Sequence, residues 1–336
     1  MLSYISKRLF LGIIVLLGVA VITFTIARVI PSDPAVKWAG SRATEEQIEA
    51  ARETLGLNDP LPIQFINYIK DLLKGDLGYS LRTHQPVAQE LKTFIPATLE
   101  LVFISFIIAI LLGIPLGIYS AYMKNQLLDH VSRLFSIGAV SLPTFWIALI
   151  FQLIFYNYLG ILPLGGRVST EITILYELPD ITGMLLLDSA LVGDWYIFKD
   201  ALIHMILPCI TVALYPIGLV ARMTRSALLE VLNEDYIIAE KSYGLSQNKI
   251  LWVYALKNTI GPTAIVVTLS FGYTLMNTFL VEAIFSWPGL GNYVATSVVT
   301  LDYPAIMGAT IFSAVTYILL NLLADIIIAL DPRVRL

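Results

Sequence analysis

The chain has 336 residues, 57% of them hydrophobic and only 14% charged, with a formal net charge of −4 and a mean hydropathy of +0.78. So few charges cannot coat a soluble globule of this length, and an acidic balance without a basic stripe excludes nucleic acid as a partner. The composition describes a protein of the lipid bilayer, where each spanning helix takes about 20 mostly apolar residues.

Six stretches reach that length: Leu9 to Ile30, Ala97 to Tyr122, Val131 to Leu159, Leu202 to Arg222, Thr259 to Ile284 and Ala305 to Leu330. The expectation is an all-α polytopic fold with six transmembrane helices. The first stretch follows Lys7 and Arg8, as a secretory signal core does. It is longer than such a core, and "PSDPAVKW" behind it offers no small-x-small cleavage site, so residues 1–30 read as a retained anchor. Residues 31–95 then form a substantial outer segment. Thr44 and Gln47 make a capping box for a short helix that stops at Gly56. Phe65, Ile69, Leu72 and Leu73 share a face of a second helix, which Gly75 ends.

Residues 96–336 read as a five-helix core. Its outer loop, residues 160–201, contains "ELPDITG", which predicts turns. The two outer segments are expected to pack as a small extracytoplasmic helical cap. Arg28 and Glu100, near outer helix ends, read as interfacial. Gly113 and Gly117 around Pro115 predict a close helix crossing with a kink. Cys209 reads as an apolar filler and, being alone, forms no internal disulfide. In the fifth stretch Ser270, Tyr273, Thr274 and Asn277 lie on one face; such groups either bond neighbouring helices or line a wet translocation path. Asp325 lies where it can reach water or Arg333.

Lys and Arg in short connections set orientation. Lys7, Arg8, Lys124, Arg133, Arg225, Lys241, Lys249, Lys257, Arg333 and Arg335 all fall on one side, which makes both termini cytoplasmic. The longest connection on that side is residues 223–257. Leu228, Leu232, Tyr236, Ala239 and Tyr243 recur at helical steps, and Gly244 breaks the pattern. Ser246 can then cap a second short helix through Lys257, with Ile250 and Val253 on one side. Four basic and four acidic residues leave this hairpin neutral. Its apolar face suits a protein partner better than a lipid surface, or packs on its own bundle.

"DYIIAEKSYGLSQNKILWVYALKN", Asp235 to Asn258, resembles the cytoplasmic coupling motif of ATP-binding cassette importer permeases, in the variant of the dipeptide/oligopeptide permease B type. The matching residues are Asp235, Tyr236, Ile237, Ala239, Gly244, Leu245, Ser246, Ile250, Leu256 and Asn258. Two positions depart: the basic pair before the glycine is reduced to Lys241, and Tyr254 stands where a histidine is common. "FLVEAIFSWPGLGNYV", Phe279 to Val294, is similar to the family's last outer turn through Glu282, Phe285, Trp287, Pro288, Gly289, Leu290 and Gly291, followed by Asp302, Tyr303 and Pro304. In that turn Pro288 and the glycines stop the fifth helix, and Trp287 suits headgroup depth. "GDLGYSLRTHQPV", "LPTFW", "LGILPLGG" and "NLLADIIIALDPRVRL" extend the resemblance along nearly the whole chain.

The resemblance implies a type I importer permease fold in a prokaryotic cytoplasmic (inner) membrane. It implies that the chain forms half of a pathway for di- and oligopeptides by alternating access. Implied partners are a second, homologous permease, two ATPase subunits docked on the hairpin and an extracytoplasmic solute-binding protein. No cofactor is implied in this chain, because ATP and Mg belong to the ATPases. Oligosaccharides, nickel chelates or glutathione are alternative solutes within the family. An ion-coupled secondary transporter would show inverted repeats, helices broken at midplane and deep ionisable groups, which the sequence does not clearly display. There is no GxxxxGK[ST], HExxH or GxSxG, and His84, His130 and His204 lie far apart, so no catalytic or metal-ligating residue is expected.

Overall fold

A computed structural model describes residues 2–29, 33–40 and 42–330. Ile30, the last residue of the first stretch, Pro31 and Ser32 behind it, and the basic residues Arg333 and Arg335 lie outside the described residues. Long α1 (Leu2–Val29) is followed by three short helices, α2 (Pro34–Ala39), α3 (Glu45–Thr54) and α4 (Leu61–Leu73), then by α5 (Val87–Tyr122). Next come α6 (Leu127–Ser141) and α7 (Thr144–Phe151), the latter prolonged by a π-helical stretch, Gln152–Tyr158. Two short helices, α8 (Thr170–Leu175) and α9 (Leu185–Val192), precede α10 (Trp195–Val231). The rest comprises α11 (Asp235–Ser242), α12 (Gln247–Lys249), a second π-helical stretch (Ile250–Ala255), α13 (Leu256–Asn277), α14 (Phe279–Ile284), α15 (Leu290–Thr300) and α16 (Tyr303–Leu330).

Among the described residues five helical runs are long and apolar enough to cross a bilayer: Ser6–Arg28, Val87–Tyr122, Trp195–Val231, Gln247–Asn277 and Tyr303–Ile326. The third expected span, Val131 to Leu159, is not one straight helix. α6 and the α7 run meet at 104°, and they supply a sixth crossing only if the pair counts as one span. The cause is local. Pro143 holds Leu142 in extended backbone (φ −80°, ψ 137°) and itself has no N–H to continue α6.

The chain divides into two compact units, residues 1–96 with 288–318 and residues 97–287 with 319–336. In the first, the Thr44 and Gln47 capping box forms, and Gly56 and Gly75 adopt the left-handed backbone that ends their helices. Phe65, Ile69 and Leu72 are partly covered as expected, whereas Leu73 is 83% exposed. The Asp302 carboxylate, itself buried, accepts from the Ser80 hydroxyl (2.5 Å), the Leu81 N–H (3.0 Å) and the Arg82 N–H (3.2 Å). Two of the sequence motifs, "GDLGYSLRTHQPV" and Asp302-Tyr303-Pro304, are thereby stapled together.

In the second unit the glycine pair of α5 is where α10 crosses. A Cβ at Gly117 would lie 2.6 Å from the Thr224 side chain, and one at Gly113 would lie 3.0 Å from Val220. Cys209 is buried in the apolar core. Glu100 is buried within the protein at 3% exposure. It pairs with Arg167 and accepts the Leu186 N–H at 2.6 Å, so the carboxylate pins the 160–201 loop. In that loop burial pushes the Asp188 carboxyl up, but hydrogen bonds from Thr182, Ile181 and Gly183 outweigh it and hold the group below the usual carboxylate range. "ELPDITG" is thus an irregular turn organised by one acid.

Candidate functional site

The cytoplasmic hairpin is built differently from the two-helix pattern in the sequence. α10 ends at Val231, and α11 begins only at Asp235, so the expected continuous apolar row is broken at Leu232 to Glu234. α11 closes on a Schellman motif: Gly244 N–H bonds Lys241 O (3.0 Å) and Leu245 N–H bonds Glu240 O (3.3 Å), with Gly244 at φ +76°. Ser246 precedes α12 but makes no side-chain cap. The second limb is not separate. From Gln247 it runs through the π-helical stretch straight into α13, as one helix of 31 residues to Asn277.

Burial divides the expected coupling residues into two groups. Ile237 and Ile250 are fully covered, packing with Ile118, Ala121, Leu228, Leu251 and Ala255; Leu245 and Leu256 flank that cluster. Asp235, Tyr236, Ala239, Gly244 and Ser246 are exposed. Ile250 and Val253 do not share a side, because the wider π turn shifts the register and leaves Val253 53% exposed. The exposed apolar ridge therefore consists of Tyr236 and Ala239 of α11 with Tyr243 at its C-cap, while Ile238, 53% exposed, lies on another side of the helix; Trp252 and Val253 are exposed on the second limb. Asn258 donates to the Tyr236 hydroxyl at 2.5 Å, tying the ridge to the start of the fifth span.

Beneath this cluster lies a centre that sequence reasoning missed. Asp129, with no solvent exposure, accepts from both Arg225 Nε (2.7 Å) and Nη2 (2.9 Å), the Ser120 hydroxyl (2.8 Å) and the Asn125 N–H (2.9 Å). Arg225 had counted only as a loop charge. An acid among apolar residues at the start of α6 was the available signal, since such a group demands a partner.

The polar face of α13 also splits. Ser270 and Thr274 are buried, whereas Tyr273 and Asn277 are exposed. Tyr273, Thr274 and Asn277 line a cavity of about 300 Å3 together with Tyr215 of α10 and the Ser141 to Phe145 break between α6 and α7. Its lining carries no ionised side chain. "LPTFW" thus has a place: the bent third span borders this cavity.

At the outer turn, α13 has already ended at Asn277, well before Pro288, and Ser286 makes the sharp backbone turn at φ +49°. Gly289, extended, precedes α15, and Gly291 lies in its first turn. Trp287 is not an exposed anchor. It is fully buried, donates its indole N–H to Ala97 O at 2.9 Å, and has Arg167 over its ring at 5.6 Å. The buried indole N–H thus has the partner that burial requires. Glu282, also fully buried, accepts the Thr98 hydroxyl at 2.6 Å. Gly166 N–H bonds Phe285 O at 2.7 Å, joining "LGILPLGG" to the same turn.

Comparison with known proteins adds a second line of support. Residues 113–336 match the family model described as "Binding-protein-dependent transport system inner membrane component", and residues 1–102 match the model of its N-terminal region. The chain is 44% identical over 333 residues to the probable D,D-dipeptide transport system permease protein DdpB of Escherichia coli (strain K12), covering 99% of this chain and 97% of the relative. It is 39% identical over 336 residues to the dipeptide transport system permease protein DppB of Alkalihalophilus pseudofirmus, covering 100% of both. To the di/tripeptide transport system permease protein DppB of Pseudomonas aeruginosa it is 38% identical over 337 residues, covering 100% and 99%.

Proposed function

The chain belongs to the family of binding-protein-dependent transport system inner membrane components, and from that premise we propose that it is the permease subunit of an ATP-driven importer of di- and oligopeptides. It forms half of the pathway, with a second, homologous permease as the other half. It lies in the cytoplasmic membrane with both termini and the hairpin on the cytoplasmic side. Two ATPase subunits bind and hydrolyse ATP with Mg, and an extracytoplasmic binding protein delivers solute. The chain itself carries out no chemistry. The observation that carries this reading is the α11 ridge. Tyr236, Ala239 and the C-cap residue Tyr243 form one exposed face of a helix whose other side, Ile237, is fastened into the bundle. A fastened apolar ridge on an otherwise polar loop is a docking surface.

The mechanism follows from continuity. ATP closes the ATPase dimer and draws the two hairpins together. Because the second limb is one helix with α13, movement at Gln247 is delivered to Tyr273 and Asn277 at the cavity along a single helix whose points of give are the π stretch and Pro262. The uncharged lining, apolar side chains interspersed with hydroxyls and one amide, suits a zwitterionic peptide, which a strong fixed charge would hold too tightly to release.

Affinity purification of the tagged chain from its native membrane is expected to bring down two ATPases and a second permease. Solitary, ion-coupled uptake by the purified chain would overturn the importer reading. Two further results are expected. Single cysteines at Glu49 and Asp180, both exposed, react with an impermeant thiol reagent from outside sealed cells in a Cys209→Ala background, whereas one at Asn248 does not; external labelling at Asn248 would invert the topology. The isolated chain neither binds nor hydrolyses ATP, and stoichiometric nucleotide binding would contradict the division of labour.

A further inference from the structure

Arg28 occupies the last turn of α1, at the end of the first apolar span. Its guanidinium lies 5.4 Å from the Phe24 ring, and its Nε is buried without a hydrogen-bond partner. Among the described residues no ion pair includes Arg28. Across the same cavity, of about 320 Å3, stands Gln64 of α4, nine-tenths buried. Gln64 Nε2 donates to Leu57 O (3.1 Å) and Asp59 O (2.7 Å). Since both partners are carbonyls, the amide orientation is fixed, and Oε1 is left as a buried acceptor with nothing to accept. Asp71 and Asp76 line the same cavity.

A second feature continues from the first. An apolar groove of about 450 Å3, lined by Leu16, Leu72, Leu77, Ile311 and Phe312, shares Leu77 with the polar cavity. Leu16 is 12 residues before Arg28 on one helix, so the groove reaches about 18 Å further along the span, into hydrocarbon depth. α4, which carries Gln64, exposes Leu61, Ile63, Ile66 and Leu73, the pattern of a helix resting on a membrane surface.

We infer that this is a binding site for one phospholipid molecule. Its phosphate pairs with the Arg28 guanidinium, whose planar fork matches phosphate oxygens. A headgroup N–H or O–H donor, such as an ethanolamine ammonium, satisfies Gln64 Oε1 on the wall that also carries Asp71 and Asp76. An acyl chain fills the groove. A cation at a span's end, a free acceptor beside it and an apolar channel leading into hydrocarbon depth match the three parts of a lipid in order. The bound molecule bridges α1, α4 and the start of α16, whose Tyr303 and Met307 close the cavity.

Native mass spectrometry of the detergent-purified importer complex tests this. The wild type is expected to retain phospholipid that Arg28→Gln loses about tenfold, the equivalent of one charge-assisted hydrogen bond. Leu16→Trp fills the groove without touching Arg28 and is expected to show the same loss, so the test stands even if the Arg28 variant does not assemble. Lys70→Gln removes a charge from the exposed part of α4 and is expected to leave retention unchanged. Inorganic phosphate in the millimolar range supplies the same anion without a chain and is expected not to displace the lipid. Equal retention in wild type and both variants overturns the site, as does displacement by phosphate or by a dipeptide.

Discussion

Ala239→Asp is expected to abolish transport while leaving membrane insertion and helix content unchanged. Ala239 is exposed between Tyr236 and Tyr243 on α11, so nothing inside the chain resists a larger side chain there. What resists is the partner. A carboxylate in the centre of an apolar contact must lose its water without a counter-charge, or hold the surfaces apart. A residue at the centre of such a contact costs about 2 kcal/mol or more when disrupted, which is about a 30-fold loss of ATPase affinity. Residual ATP hydrolysis then no longer responds to the loaded binding protein. Gly244→Val is expected to act in the same direction through the backbone. A Cβ at Gly244 meets nothing within 4 Å, so the cost is purely that of a branched residue at φ +76°, about 1 kcal/mol or more. Asn233→Asp, an exposed change of similar charge outside the ridge, is expected to be nearly silent. Pull-down of the ATPases and binding-protein-stimulated hydrolysis in proteoliposomes measure all three. Normal assembly and transport by Ala239→Asp would remove the hairpin as the docking element.

Local chemistry was legible in the sequence, and long-range chemistry was not. The Thr44 and Gln47 box and the left-handed Gly244 depend on residues a few positions apart, and each formed as read; the Gly113 and Gly117 spacing likewise announced a close crossing, but not that α10 would make it. The break at Pro143 was hidden because apolar composition continues unchanged on both sides, although the backbone of a pre-proline residue already disfavours a helix there. The π-helical stretch defeated the Ile250 and Val253 pairing, since counting by 3.6 presumes the turn it is meant to test. Ile237 and Tyr236 are neighbours in the motif, yet one fastens the hairpin and the other faces out, a distinction that no spacing rule draws. Glu100 with Arg167 and Asp129 with Arg225 are separated by 67 and 96 positions, so neither pair could be read from spacing: Glu100 read only as interfacial, and Asp129 was not singled out.

Asp129→Ala is expected to destabilise the cytoplasmic half of the second unit and, through it, to disable coupling without touching the docking ridge. Asp129 is wholly buried and satisfies two Arg225 nitrogens, the Ser120 hydroxyl and the Asn125 N–H, which lie on α10, on α5 and in the turn between α5 and α6. Its removal leaves all four donors unpaired at once. Breaking one side of a buried ion pair costs about 3–5 kcal/mol, and the lower end applies because Arg225 keeps a fifth of its side chain open to solvent. The same helix ends carry Ile118, Ala121 and Leu228, the floor on which Ile237 and Ile250 rest, so loosening them lets the hairpin shift under load. Asp129→Asn keeps the shape and one acceptor and is expected to lose less. Replacing both partners, Asp129→Leu with Arg225→Met, is expected to recover most of the thermal stability, because paired apolar side chains leave no buried charge behind and Arg133, 3.6 Å from the Asp129 carboxylate, is exposed enough to stay hydrated. Thermal unfolding of the purified complex with ATPase stimulation measured in parallel separates the two effects: the single variant unfolds earlier and responds poorly to the binding protein, and the double variant regains the first. An Asp129→Ala complex with unchanged unfolding temperature and full stimulation would show that the staple does not hold the hairpin floor.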